Sequence, residues 1–176
     1  MKTNGIRKLF SLQSIKTVSE ETKKELLLES KIFVGGDIGS GKTTLAYAIG
    51  SEMSKNIIYV DCTTLKSDDL EQILDGIRTK FSFISNGKKI FIFDEVHRLS
   101  KLLVSRLLPV IEEINGCVLI FISSVSYKML RFSYGEEFSA LMSRLNYKIE
   151  IDLSTEKISS ILVEEGWDED SAKKRS

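Results

Sequence analysis

Gly36-Asp37-Ile38-Gly39-Ser40-Gly41-Lys42-Thr43 is the stretch whose reading decides the fold. It is a glycine, four residues, then Gly-Lys-Thr. Four fixed positions at background frequencies match by accident in fewer than ~1% of chains this long. The flanks add context: an apolar β-rich run over 31–35 precedes the turn, and a helical pattern from Thr43 to Met53 follows it. A strand that passes through a glycine-rich turn into a helix start aims several backbone N–H groups at one point, where the helix dipole adds positive potential. That is chemistry for phosphate. Gly36, Gly39, Ser40, Gly41, Lys42, Thr43 and Thr44 are the candidate nucleotide-binding residues. Lys42 is expected at the β- and γ-phosphates, and Thr43 on Mg2+. The bland alternative is a mere glycine-rich turn.

Outward from this stretch, short apolar runs alternate with helical patterns. The segments 31–35, 56–61, 89–95, 117–123 and 147–151 read as five strands. The second to fourth are nearly continuous apolar runs, as expected for strands covered on both faces. Ser67 is read as the cap of a helix whose Leu70, Ile73, Leu74 and Ile77 fall at helical spacing. Ser100 is read as the cap of another, running to about Ile114 with Leu103, Leu107, Val110, Ile111 and Ile114 on one face. Pro109 lies inside that pattern and is expected to kink it or end its regular part. A last helix is expected over 155–165, before a frayed tail. The β-α-β-α order predicts an α/β fold, a parallel five-stranded sheet between helices, with ligands at the carboxyl ends of the strands.

The run Ile90-Phe91-Ile92-Phe93 ends in Asp94-Glu95, about 50 residues past the phosphate loop. Two adjacent carboxylates at a strand end place one toward a metal and one near the γ-phosphate. Asp94 is the candidate Mg2+ residue, acting through water, and Glu95 the candidate base for an attacking water. His97 is read as a loop or partner-contact residue, because no second metal ligand lies nearby. Arg98 is read either as a contact to DNA, phosphate or a neighbouring subunit, or as a solvated surface charge.

The phosphate loop, then Phe93-Asp94-Glu95-Val96-His97-Arg98-Leu99-Ser100, then Ile122-Ser123-Ser124, then Leu141-Met142-Ser143-Arg144, resembles the AAA+ ATPases. The order of motifs over roughly 30–165 is most similar to the clamp-loader clade, which includes the replication-fork maintenance ATPases and the Holliday-junction branch-migration motor. The resemblance makes the two motifs Walker A and Walker B. It implies an ATPase acting on DNA in a multi-subunit assembly, clamp-loader-like in replication or repair, with turnover dependent on oligomerisation. It implies a polar residue at the end of the fourth strand near the γ-phosphate: Ser124, with Ser123 as the alternative. It implies that Arg144 reaches a neighbouring subunit's nucleotide. A guanidinium inserted in trans offsets charge in phosphoryl transfer. ATP and Mg2+ are the implied cofactors. The implied partners are other AAA+ subunits, DNA and a sliding clamp.

The resemblance divides the chain into an N-terminal segment with a short helix (1–30), a nucleotide-binding core (31–153) and the start of a lid-like helix with a tail (154–176). A full helical lid does not fit in the last part, and the Arg-Pro signature of clamp-loader subunits is missing near the start. The segment 125–138 is longer than its clamp-loader counterpart. It carries Tyr127, Lys128, Arg131, Phe132 and Tyr134, and is read equally as a basic–aromatic loop for DNA and as a packed surface loop.

Composition sets the outer limits. The 176 residues suit one domain, and 42% hydrophobic with 28% charged residues suits a folded core. Lys and Arg total 25, as do Asp and Glu, so any DNA contact must come from a local patch. Cys62 and Cys117 fit no zinc pattern and are read as buried thiols in a reducing compartment. The basic N-terminus lacks the apolar stretch of a signal peptide. The run from Cys117 to Ile122 is too short to span a bilayer. A cytoplasmic or nucleoid-associated place, with no membrane partner, is the expectation. Two other functions remain in view: an assembly module that binds nucleotide with little hydrolysis, and a small-molecule P-loop kinase. The paired Asp94-Glu95 favours water over an acceptor molecule.

Overall fold

The five apolar runs form β1 (Lys31–Gly36), β2 (Asn56–Asp61), β3 (Lys89–Asp94), β4 (Cys117–Ser123) and β5 (Tyr147–Ile151). The computed structural model describes residues 12, 15, 16, 18–54, 56–78, 88–114 and 116–151. It joins the strands in one sheet of order β2-β3-β4-β1-β5. Every pair is parallel. The helices are α1 (Glu20–Leu26), α2 (Lys42–Met53), α3 (Ser67–Arg78), α4 (Lys101–Glu113), α5 (Tyr127–Ser133) and α6 (Glu136–Ser143). The helix expected over 155–165 and the tail lie outside the described residues.

Alternation along the strands sorts the core into two halves. Phe33, Phe91, Phe93, Leu119 and Phe121 face one side, where α3, α4, α5 and α6 cover them. Ile32, Val34, Ile90, Ile92, Val118, Ile120 and Ile122 face the other, covered by α2 and by Leu26 of α1. The large flat rings thus share one layer, where Phe93 and Phe121 stack at 5.1 Å. The branched side chains share the second layer with Leu45, Ala46, Ala48 and Ile49 of α2. The small alanines let α2 lie close to the sheet. Cys62 and Cys117 are buried free thiols. Burial raises both, Cys117 to about 11.

Several boundaries differ from the sequence reading. β3 stops at Asp94, because Glu95 adopts left-handed backbone angles (φ 55°, ψ 45°) that break the strand. Ser67 is the first residue of α3 rather than its cap. The helix accepts its first bond at Lys66 O, and the Ser67 hydroxyl instead accepts from Arg106. Ser100 does cap α4, accepting from Leu103 N. Pro109 does not end α4, which continues to Glu113. Proline removes the donor for the Ser105 carbonyl, but both residues are exposed, so water can take its place. The segment 125–138 is not a loop: α5 fills its first half, and α6 begins within it at Glu136. Leu130 and Phe138 enter the core, whereas Met129 and Phe132 are exposed.

The sheet order determines where the chemistry gathers. β1 lies between β4 and β5, so the chain reverses its winding direction at β1, and crevices open at such a reversal. The turns after β1, β3 and β4, three adjacent strands, all leave the same edge. Phe121 lies at the centre of the phenylalanine layer beneath them and is fully buried. Phe121→Ala is expected to cost about 3–5 kcal/mol, read as a lower urea midpoint at unchanged slope. A loss near zero would show that this layer does not hold the sheet.

Candidate functional site

The phosphate loop leaves β1 at Gly36, and its three glycines all have positive φ (145°, 83° and 87° for Gly36, Gly39 and Gly41). At Gly36 the constraint is also steric: a Cβ would lie 2.6 Å from Ile151 O and 2.8 Å from Ser40 Oγ. At Gly39 and Gly41 a Cβ would meet nothing within 4 Å, so the side facing the cleft stays open. Gly41 begins α2 with no side-chain cap. The first N–H groups of the helix therefore have no local acceptor. Ser40 Oγ is buried and has no hydrogen-bond partner. Lys42 is buried, and its ammonium donates to Asp37 O at 2.6 Å, across the loop's own mouth. A cradle of unsatisfied donors, one unpartnered hydroxyl and a lysine resting on a neutral carbonyl fits a phosphate chain.

Asp94 sits opposite and is buried. It shares a sheet face with Ile92, the face that α2 covers, so its carboxylate meets the first turn of that helix. Thr43 Oγ1 donates to Asp94 Oδ2 at 3.0 Å. Tyr59 OH donates to the same oxygen at 2.7 Å, and Glu95 N donates to Oδ1 at 2.9 Å. A carboxylate offers about four lone-pair sites. Three are used here, leaving one on Oδ1, which suits a metal held through water. The proton of Thr43 is committed to Asp94, so its free lone pairs are available to a cation. The donor set is hard oxygen throughout, as Mg2+ requires.

Glu95 is the only non-glycine with positive φ among the described residues. Such a conformation costs roughly 1–2 kcal/mol and needs its surroundings to hold it. Here Arg98 N donates to Glu95 O, and Asp94 Oδ1 takes Glu95 N. The Glu95 side chain accepts from Ser124 Oγ at 3.0 Å. The two serines at the end of β4 therefore separate. Ser124 touches Glu95, whereas Ser123 is fully buried, accepts from Val125 N and lies 3.2 Å from His97 Nδ1.

His97 lies in the short helical turn Val96–Arg98 that follows β3. Its ring is buried, with Nδ1 3.3 Å from Glu95 Oε2. Burial pulls the imidazole below the usual histidine range, opposed by Glu95 and reinforced by Arg98 and Lys42. The ring is neutral at pH 7, and its tautomer decides whether Nδ1 donates to Glu95 or accepts from Ser123. Arg98 is exposed. Among the described residues, no group of three His, Cys, Asp or Glu side chains could hold a metal by itself.

The phosphate loop and the acidic strand end line a cleft of about 330 Å³, bounded by Ile38, Gly39, Gly41, Lys42, Thr43, Thr44, Asp94 and Glu95, whereas Gly36 and Ser124 line a separate cleft with Asp37 and Glu150. Arg144 is not in it. Arg144 ends α6, and its Nε donates to Glu112 Oε1 at 2.6 Å, with a second contact from Nη2 to the same carboxylate. Its Nη1 donates to Ala140 O at 2.8 Å. Sequence reasoning missed Tyr59 and the contacts of His97. Neither had a local signal: Tyr59 meets Asp94 only through the β2–β3 register, which sets Tyr59 opposite Ile92.

A parallel sheet whose first strand feeds a glycine cradle, faced by an acidic strand end, defines a P-loop nucleotide-binding protein. The family model for the "ATPase family associated with various cellular activities (AAA)" matches residues 32–153, and the chain belongs to that family. The ATPase WRNIP1 of Dictyostelium discoideum is 38% identical over 78 residues, covering 44% of this chain and 9% of that protein. The Holliday junction branch migration complex subunit RuvB of Pseudothermotoga lettingae is 37% identical over 94 residues, 47% of this chain and 25% of that one. The replication-associated recombination protein A of Haemophilus influenzae is 28% identical over 127 residues, 72% and 26% of the two chains. The chain thus spans about a quarter or less of these relatives' length. Among solved structures, the Thermotoga maritima RuvB Holliday junction branch migration motor superposes with a TM-score of 0.62 at 23% identity, over 89% of this chain and 55% of that one. This likeness concerns the fold.

Lys42→Ala removes the one cationic side chain lining the cleft. ATP affinity, measured by titration calorimetry, is expected to fall about 10–100-fold, as when a hydrogen bond to a charged group is lost. Unchanged affinity would reject phosphate binding at this loop.

Proposed function

We propose that this chain binds ATP with Mg2+ and hydrolyses it to ADP and phosphate, as one subunit of a multi-subunit assembly that acts on DNA. The observation that carries the reading is the Thr43–Asp94 hydrogen bond across the cleft, with Glu95 beside it. It links the phosphate loop to the acidic strand end. Gly36, Gly39, Ser40, Gly41 and Thr44 surround the phosphates, and Lys42 neutralises their charge. Thr43 and Asp94 would hold Mg2+, which supplies further neutralisation of the phosphate oxygens. Glu95 orients and deprotonates the attacking water. Ser124 holds the Glu95 carboxylate. Residues 31–153 act as the nucleotide-binding core, flanked by segments 1–30 and 154–176.

The DNA part of the reading draws on what the relatives' names say they do: Holliday junction branch migration and replication-associated recombination. Its narrower form is clamp-loader-like action, with a sliding clamp as client. Among the described residues no helix is long and apolar enough to cross a membrane. A cytoplasmic or nucleoid-associated place follows from action on DNA.

Phosphate release from Mg-ATP, with and without branched DNA and with added sliding clamp, tests the whole reading. Glu95→Gln keeps the size of the side chain and loses the base. Binding should persist while turnover falls about 10²–10⁴-fold. A variant that turns over at the parent rate would move the base elsewhere.

Arg144 contacts nothing in its own cleft, which suits service to a neighbour. Arg144→Ala should bind ATP like the parent but hydrolyse slowly in the assembly. Trans arginines contribute up to ~10³–10⁵-fold in related phosphoryl transfer. Mixing it with a finger-intact, binding-dead subunit (Lys42→Ala) should restore part of the turnover. A monomer with full activity, indifferent to Arg144→Ala, would overturn both the finger and the assembly.

A further inference from the structure

We propose that Tyr59 is a positioning residue for the metal half of this site: its hydroxyl fixes Asp94, and through Asp94 it aims the Thr43 hydroxyl. The inference rests on reading the cleft as a Mg-nucleotide site.

Tyr59 lies on β2, an edge strand, and the residue is 44% exposed. An exposed tyrosine has no need of a carboxylate partner, yet this one donates to Asp94 Oδ2 at 2.7 Å. That oxygen is the one that accepts from Thr43. The two hydroxyls together occupy both lone pairs of Oδ2. The third donor, Glu95 N, is on Oδ1. A carboxylate held at both oxygens cannot rotate about its terminal bond without breaking a charge-assisted hydrogen bond.

The second observation is what holds Tyr59. Its ring stacks on Tyr47 at 5.9 Å with an interplanar angle of 16°. Tyr47 lies four residues after Thr43, one turn along the same face of α2. Tyr59 is therefore referenced to the helix that carries the metal-facing threonine. The chain of contacts closes on itself: Tyr47 to Tyr59, Tyr59 to Asp94, Asp94 to Thr43, and Thr43 along α2 to Tyr47. A tyrosine hydroxyl keeps its proton at neutral pH, so Tyr59 is the donor of this pair.

Two effects of removing this hydroxyl oppose each other. Loss of a donor leaves more negative charge on Asp94, which favours a cation. Loss of the anchor leaves Oδ2 held by the Thr43 hydroxyl alone, so the carboxylate is fixed less firmly and Thr43 is aimed less well. Orientation dominates, because metal sites lose about 10–100-fold in affinity when such supporting hydrogen bonds are removed.

The test is ATP binding by titration calorimetry, in Mg2+ and in EDTA, on the full chain. Tyr59→Phe keeps the ring and its stack on Tyr47, with thermal unfolding as the check of folding. The ratio of affinity with Mg2+ to affinity in EDTA should fall about 10-fold, while affinity in EDTA stays at the parent value. In an Asp94→Asn background the same substitution should change nothing further, since the two act through one group. A general packing role would lower both affinities together and add to Asp94→Asn. That outcome, an unchanged ratio or a raised one overturns the proposal. A parent that binds ATP in EDTA but gains nothing from Mg2+ also overturns it. A parent that binds ATP in neither condition rejects the nucleotide reading itself.

Discussion

The hydrogen bond between Thr43 and Asp94 is the constraint on which the rest of the site depends. It spans 51 positions in sequence, from the first turn of α2 to the last residue of β3. Bringing those ends together requires β3 and β1 to be close neighbours in the sheet, separated only by β4. It also requires α2 to lie close against the face that carries Ile90 and Ile92. The alanines of α2 permit that approach. Gly50 does too, because a Cβ there would lie 3.2 Å from Ile57 and 3.3 Å from Ile90.

The two adjacent carboxylates at the end of β3 are held by opposite means. Asp94 is held by three donors in an unstrained strand end. Its neighbour Glu95 is forced into a left-handed backbone, which turns its side chain away from the direction a continuing strand would give it. There it meets Ser124, just past β4, and His97 from the following turn. The Ser124 hydroxyl and the His97 ring thus flank the Glu95 carboxylate. The strain at one residue thus gives two adjacent carboxylates different sets of contacts.

Arg144 is a charged side chain held between two helices. Its ion pair with Glu112 joins the C-terminal end of α6 to the last turn of α4. Exposed pairs of this kind contribute up to about 1 kcal/mol. Glu112 is therefore a weak hold.

The five strands, the phosphate loop and the acidic strand end were legible in the sequence because each is a local pattern. Alternating Ile and Phe in 89–94 encodes both faces of a buried strand at once, and glycines 36, 39 and 41 mark backbone angles that other residues resist. Residues 125–138 were less legible. Their aromatic and basic side chains look alike whether they lie on a loop or a short helix, and only packing against α4 and the sheet makes Leu130 and Phe138 core. Tyr59 and His97 were invisible for a stricter reason. Their partners, Asp94, Glu95 and Ser123, are brought near by strand register and by one left-handed residue. The sequence by itself determined which groups are available for phosphate and metal. The tertiary structure alone decided which of them share a proton, because a hydrogen bond depends on angstrom distances that periodicity does not specify.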